Sequence, residues 1–179
     1  MIFFIFLATW ILIMLFLGIT VLKGFPAMVA VGPIPAHKKG IAKALELAEI
    51  KPDERFYDLG CGDGRVLVEA VKKYDCLGVG YDLVLPYYLL TKARALLSGK
   101  SEKIEVRLEN IFKADIENAD IIFCFLTPSL MVKIGKMLGK TRLKKGVRVI
   151  SYAFGIKDLE PTAKIGHSKD NWNIYLYKL

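Results

Sequence analysis

Three glycines at alternate positions, Gly60, Gly62 and Gly64, stand between an apolar stretch and an amphipathic one, and that junction leaves few folds open. Arg55–Leu59 (RFYDL) reads as a short strand and Val66–Tyr74 as a helix with one apolar face. A glycine-rich turn from a strand into a helix is where a doubly wound sheet places its ligand loop. Gly60 and Gly62 permit a tight turn and a close approach of the ligand, and Gly64 allows close packing at the helix start.

The alternation continues along the chain. Leu77–Asp82, Ile104–Leu108, Asp120–Leu126 and Val147–Phe154 have strand character, and the spacing predicts helices over Tyr87–Leu97 and Ser129–Gly139. Ala163–Gly166 and Asn173–Tyr177 follow without a helix between them and read as two closing strands. Ahead of the first strand, Lys38–Ile50 repeats apolar residues at helical spacing and stops near Lys51-Pro52. Apolar strands alternating with amphipathic helices predict an α/β, Rossmann-like, doubly wound and mostly parallel seven-stranded sheet.

The first 22 residues differ from all this. Met1–Leu22 carry no charged side chain, whereas the whole chain of 179 residues holds 26 Lys and Arg and 18 Asp and Glu, a net +8. At about 1.5 Å per residue, 22 helical residues span roughly 33 Å, enough to cross a hydrocarbon core of about 30 Å. A cleaved signal peptide would have a basic start, a shorter apolar core and a small-x-small cleavage site, and a buried core helix would show a polar face. The segment is therefore expected to be a retained transmembrane anchor. Residues 23–35 hold Pro26, Pro33 and Pro35 and form a linker, leaving 36–179 as the folded domain. Lys23, Lys38, Lys39 and Lys43 follow the anchor and place the domain on the cytoplasmic side.

Composition removes several classes. Cys61, Cys76 and Cys124 are odd in number and lack metal-ligand spacing, and only His37 and His167 supply imidazoles. A disulfide-rich scaffold, a zinc site and a Ser–His–Asp hydrolase are excluded, and no metal partner is expected. A basic helix face, Lys133, Lys136 and Lys140 with Arg142, Lys144 and Lys145, lacks the aromatic interleaving of a nucleic-acid surface, so no nucleic-acid partner is expected. On a tethered domain such a face suits an anionic leaflet.

Two carboxylates flank the glycine loop, Asp58 just before it and Asp63 within it, and the spacing is G-x-G-x-G instead of the dinucleotide G-x-G-x-x-G. Negative charge there opposes a pyrophosphate and favours a cation. S-adenosylmethionine carries an ammonium and a sulfonium and no phosphate. Asp63 also fits a helix N-cap, which leaves Asp58 unexplained. Asp82 ends the second strand, where a carboxylate can accept from two ribose hydroxyls. Asn110, after the third strand, fits either an adenine contact, with Ile111 and Phe112 beside the ring, or an ordinary turn.

On Asp58-Leu-Gly-Cys-Gly-Asp-Gly64, Asp82, Asn110 and the closing strands, the chain resembles class I, seven-strand S-adenosylmethionine-dependent methyltransferases from about residue 33 to 179. More narrowly it resembles the membrane-anchored protein-lysine methyltransferases acting on the adenine nucleotide translocase and the c-ring protein of ATP synthase, with their prokaryotic relatives. That likeness rests on the apolar N-terminus, Gly32-Pro33-Ile34-Pro35, Gly62-Asp63-Gly64-Arg65 and Pro128, while Ala36-His37-Lys38 departs from the small hydroxyl residues of the pattern. The resemblance implies S-adenosylmethionine as cofactor, held by Pro35, Asp58, Gly60, Cys61, Gly62, Asp63, Gly64, Asp82, Leu83, Asn110 and Ile111. It implies lysine methylation of a membrane or membrane-associated protein.

The substrate edge after strand four reads Phe125-Leu126-Thr127-Pro128-Ser129 and lacks the Asn/Asp-Pro-Pro-aromatic signature of enzymes methylating planar nitrogens. Thr127 either orients the acceptor amine, as a catalytic residue, or caps the next helix. Tyr87 and Tyr88 fit a lid or the core equally. The alternatives to lysine methylation are a lipid or small hydrophobic acceptor, and a non-catalytic membrane module that binds the cofactor.

Overall fold

The computed structural model describes residues 6–7, 9–15, 18, 37–167 and 172–179. The chain divides into two units, 1–35 and 36–179. In the first, the described residues are helical, with the Thr9 hydroxyl donating to the Phe6 carbonyl at 2.8 Å. The apolar side chains of Phe6, Leu7 and Trp10 through Leu15 are all exposed. Among the described residues no helix is long and apolar enough to cross a membrane. Most of the 1–22 anchor, the 23–35 linker and Pro35 lie outside the described residues.

The second unit is one seven-stranded sheet with helices on both faces. Its elements are α1 (Lys38–Leu47), β1 (Arg55–Leu59), α2 (Arg65–Tyr74), β2 (Leu77–Asp82), α3 (Leu85–Leu97), β3 (Ile104–Leu108), β4 (Ile121–Cys124), α4 (Pro128–Leu138), β5 (Arg148–Tyr152), β6 (Ala163–His167) and β7 (Trp172–Lys178). The strand order is β3-β2-β1-β4-β5-β7-β6. The sheet is mixed: β3, β2, β1, β4 and β5 pair in parallel, and β7 runs antiparallel to both β5 and β6. Ile41, Leu45, Leu67 and Val71 of α1 and α2 pack with Phe56, Phe123 and Ile150 on one face. Met131, Ile134 and Leu138 of α4 pack with Ile122, Val149 and Tyr177 on the other.

Element ends depart from sequence expectation where a partner or a dihedral intervenes. β4 stops at Cys124, not Leu126, because β1, its partner, ends at Leu59 opposite Cys124 and turns into the glycine loop. β5 stops at Tyr152, two residues before Phe154, since Ala153 takes a left-handed φ of 72°. α1 ends at Leu47, short of Ile50, with Glu49 left-handed at φ 49°. α3 starts at Leu85, two residues earlier than expected, with Pro86 accepted in its first turn where no amide bond is lost.

The chain reverses its winding between β1 and β4, so the connections leaving these neighbouring strands diverge to opposite faces. The crevice at their C-terminal ends is where such sheets bind ligands.

Candidate functional site

The loop after β1 is built from three left-handed glycines, Gly60 (φ 84°), Gly62 (φ 54°) and Gly64 (φ 74°). A Cβ on Gly60 would stand 2.8 Å from Leu126 Cδ2, and one on Gly64 would stand 2.5 Å from Thr91 Cγ2. Both backbone angle and space therefore demand glycine there.

The loop's amides are spent on β2 and on the loop itself. Gly60 and Cys61 both donate to the Tyr81 carbonyl at 2.9 Å, and Gly64 donates to the Cys61 carbonyl at 2.8 Å. Gly62 N donates to Asp82 Oδ2 at 2.9 Å, and Arg65 N donates to Asp63 Oδ1 at 3.2 Å. From α3, the buried Thr91 hydroxyl donates to the Gly62 carbonyl at 2.8 Å. A phosphate-binding loop aims these donors at its ligand. Here they already have acceptors.

What the loop offers instead is carboxylate oxygen. Asp58 is 2% exposed, and its Oδ2 is the buried side-chain polar atom without a hydrogen-bond partner among the described residues. Burial, reinforced by the charges of Asp82 and Asp63, pushes the Asp58 carboxyl up to about 8, against the pull of the Leu67 amide. Asp82, at the end of β2, is also buried, its Oδ1 accepting from Val84 N at 2.8 Å and its Oδ2 from Gly62 N. Each of these oxygens keeps a free lone pair.

Asp63 has a different environment. Its Oδ2 accepts from Arg65 at 2.7 Å and from Arg94 at 2.9 Å, and Arg94 Nε also donates to the Asp63 carbonyl at 2.8 Å. Burial raises its carboxyl, but the Arg65 bonds and the charges of Arg65 and Arg94 outweigh that and hold it below the usual carboxylate range. The N-cap position belongs to Gly64, not Asp63. Asp63 thus ties the loop to α2 and α3, with its charge cancelled by two guanidinium groups.

The remaining predicted residues fall along the same edge. Cys61 is buried beside Gly80, whose added Cβ would meet Cys61 Sγ at 3.0 Å; burial pushes its thiol up, so it stays protonated. Leu83 is 65% exposed immediately after Asp82. Asp82 pairs with Leu108 in the β2–β3 register, which sets Asn110 just past the end of the neighbouring strand. Asn110 Oδ1 accepts from Phe112 N at 3.0 Å, capping a 3-10 turn over Ile111–Lys113, and this leaves the amide nitrogen as donor. The ends of β1, β2 and β3 therefore gather Asp58, the glycine loop, Asp82, Leu83, Asn110 and Ile111. Pro35 lies outside the described residues.

Across the crevice, Thr127 is exposed at the N-cap position of α4. Its carbonyl accepts from Leu130 and Met131 at 3.0 Å, while its hydroxyl sits 3.1 Å from Ser129 Oγ and makes no capping bond. Tyr87 and Tyr88 are half-buried; Tyr88 packs on the core and lies under Lys92 at 5.4 Å.

Sequence reasoning passed over two features. Phe125 and Tyr152, at the ends of adjacent strands β4 and β5, meet edge to face with centroids 4.8 Å apart. Tyr152 reaches under α1 where Gly40 leaves room for its hydroxyl. Their places at two strand termini were the available signal. Arg94 gave none, because its partner Asp63 lies 31 residues away.

The orphaned Asp58 oxygen, the second buried acid and the consumed loop amides fit a cationic, hydroxyl-bearing ligand and reject a diphosphate. The family of ANTKMT methyltransferase domains matches residues 58–163. A protein-lysine N-methyltransferase of Saccharolobus islandicus is 30% identical over 147 residues, covering 80% of this chain and 91% of that protein. The adenine nucleotide translocase lysine N-methyltransferase of Mus musculus is 26% identical over 145 residues, 81% of this chain and 62% of its own length. Among solved structures, an RNA methyltransferase from Salinibacter ruber in complex with S-adenosyl-L-homocysteine aligns with a TM-score of 0.77 and 27% identity, over 81% of this chain and 93% of that one.

Proposed function

We propose, from the premise that the chain belongs to the ANTKMT methyltransferase-domain family, that it methylates a lysine side chain of a membrane or membrane-associated protein. It is an S-adenosylmethionine-dependent methyltransferase, and the observation that carries the cofactor assignment onto its own residues is the unpartnered, buried Asp58 oxygen. When bound, the cofactor supplies a methyl group on a positively charged sulfur.

The chain's residues divide the work. Asp58 meets the ammonium group of the cofactor's methionine end. The free lone pairs of Asp82 accept from the ribose hydroxyls. The Asn110 amide nitrogen donates to the adenine edge, with Leu83 and Ile111 flanking the ring. Gly60, Cys61, Gly62 and Gly64 shape the turn on which these groups converge, and Asp63 holds that turn through Arg65 and Arg94. In-line transfer requires the acceptor lysine to be neutral, since an ammonium has no lone pair, and an apolar mouth lowers its pKa toward that state. Phe125 and Tyr152 form such a wall, and the exposed Thr127 hydroxyl orients the amine as it loses its proton to water.

The membrane part of the proposal rests on the uncharged Met1–Leu22 segment, on the all-round exposure of its described apolar side chains, and on the name of the murine relative, whose substrate is a translocase. The segment acts as a single anchor, residues 23–35 as its linker, and the positive charge that follows keeps the domain on the cytoplasmic side.

The test is incubation of the full chain with membranes and methyl-labelled cofactor, followed by separation of protein, lipid and RNA. Label in protein, recovered as methyl-lysine after hydrolysis, is the expected result. Label confined to lipid would transfer the assignment to a headgroup amine, and label confined to RNA would align the chain with its Salinibacter neighbour.

A further inference from the structure

α3 carries its leucines on the wrong side for a helix that only packs on a sheet. Thr91 and Ala95 are its buried residues, whereas Leu85, Leu89, Leu90, Leu96 and Leu97 are exposed, Leu96 at 69% and Leu97 at 89%. At 100° per residue the five leucines and Lys92 fall within an arc of about 160°, opposite the buried stripe. A solvated helix puts charge there. Here the outward face is five leucines with Pro86, Ala93 and one lysine, and α3 holds no acidic residue. Contiguous exposed apolar surface of this kind marks a binding face.

We infer that this face of α3 lies in the interfacial layer of an anionic bilayer, as a second membrane contact of the domain. An apolar face edged by a cation is the pattern of interfacial helices, which bury leucine at the acyl boundary and keep lysine among the headgroups. Charge decides between occupants. Pairing with a second copy would bury Lys92 against a helix that has no acid to meet it, while an anionic leaflet supplies the counter-charge that a chain of net +8 favours. The inference rests on the anchored reading above.

The test uses the full chain, reconstituted into protein-free vesicles containing anionic lipid. Cys61, Cys76 and Cys124 are buried, so a fluorophore on Leu96→Cys labels one position. With nitroxide-bearing lipids the Leu96→Cys label is expected to lose about half its emission or more, while a label on Lys136→Cys, on the basic face of α4 that is the competing leaflet contact and lies in the opposite layer, is expected to lose about a tenth or less. Adding Leu89→Glu is expected to relieve the quenching at position 96 severalfold with unchanged calorimetric affinity for the cofactor. Equal quenching at 96 and 136 in chain that sediments with the vesicles overturns the α3 contact and leaves the anchor standing. Chain absent from the vesicle pellet overturns the anchor and this inference with it. Excimer emission from pyrene at position 96, without nitroxide quenching, assigns the face to a second copy and overturns the inference.

Discussion

Replacing Asp58 by Asn separates two demands placed on one carboxylate. Within the fold its carboxyl is pushed up to about 8 from an ordinary 3.8, first by burial and then by Asp82 and Asp63. The folded state therefore keeps a proton that the unfolded chain releases, and stability is full below about pH 4 and falls as pH rises to about 8. At about 1.4 kcal/mol per pH unit the loss reaches ~4 kcal/mol at pH 7 and ~6 kcal/mol above pH 8. Asparagine has nothing to ionise, so the ligand-free Asp58→Asn chain should be more stable than the parent by ~4 kcal/mol at pH 7 and by nearly nothing at pH 4. Urea unfolding of both chains in non-ionic detergent, at several pH values, measures that widening gap. The same change removes the charged acceptor for the cofactor's ammonium. A hydrogen bond to a charged group contributes about 1.5–3 kcal/mol, so affinity should fall about 10- to 150-fold. Because the cofactor draws Asp58 into its ionised form, binding by the parent at pH 7 should release close to one proton, seen by calorimetry in buffers of different ionisation enthalpy. The variant should release none. A stability gap that stays flat with pH, or cofactor binding by the parent without proton release, refutes the reasoning.

Three further changes probe the neighbouring parts. Gly64→Ala places a Cβ 2.5 Å from Thr91 Cγ2 at a φ of 74°, where the left-handed conformation alone costs roughly 1–2 kcal/mol; thermal unfolding should show at least that loss, and Thr91→Ser should restore only the share due to Cγ2, since Oγ1 at 2.8 Å and Cβ at 3.0 Å remain. Arg94→Met removes one of the two guanidinium groups on Asp63 and should cost about 1 kcal/mol, as a partly exposed pair does, with weaker cofactor binding and an intact sheet by circular dichroism. Since Asp63 is held below the usual carboxylate range, its contribution is present above pH 4 and disappears as pH falls through its lowered pKa, so Arg94→Met should matter least in strong acid. Phe125→Ala opens the edge-to-face contact with Tyr152 and should raise KM for the lysine acceptor about tenfold while calorimetric cofactor affinity changes less than twofold, which a general loss of fold would not do.

How far the sequence reached depended on whether the determining interaction was local. β1, β2 and β3 have the predicted bounds, because each is an apolar run closed by a glycine loop, an acid or a polar turn. The sequence reads β4 and β5 too long, because Phe125, Leu126 and Ala153 pack against the two core layers from beyond the last ladder pair, and apolarity does not distinguish a strand from such a continuation. The outward leucines of α3 were invisible to a pattern that assigns apolar residues to the core, since the face a helix buries is decided by its neighbours in space. The same holds for Arg94, whose partner is set by how α3 crosses the loop.

The cofactor argument shows the difference most sharply. In the sequence, two acids beside a glycine loop read as two negative charges facing the ligand. In the fold only one of them does, because Arg65 and Arg94 cancel Asp63. The preference for a cation survives on other atoms. Asp82 joins Asp58 from the next strand, and the amides that would have welcomed a phosphate are bonded to Tyr81, Asp82, Cys61 and Asp63. A nucleotide diphosphate would have to break those bonds, and would meet two buried carboxyls in place of the donors it needs. A ligand with an ammonium group and free hydroxyls breaks nothing and completes the one buried side-chain oxygen left open among the described residues. Ligand selection at this site therefore follows from which donors are already spent, a property that glycine spacing alone does not carry.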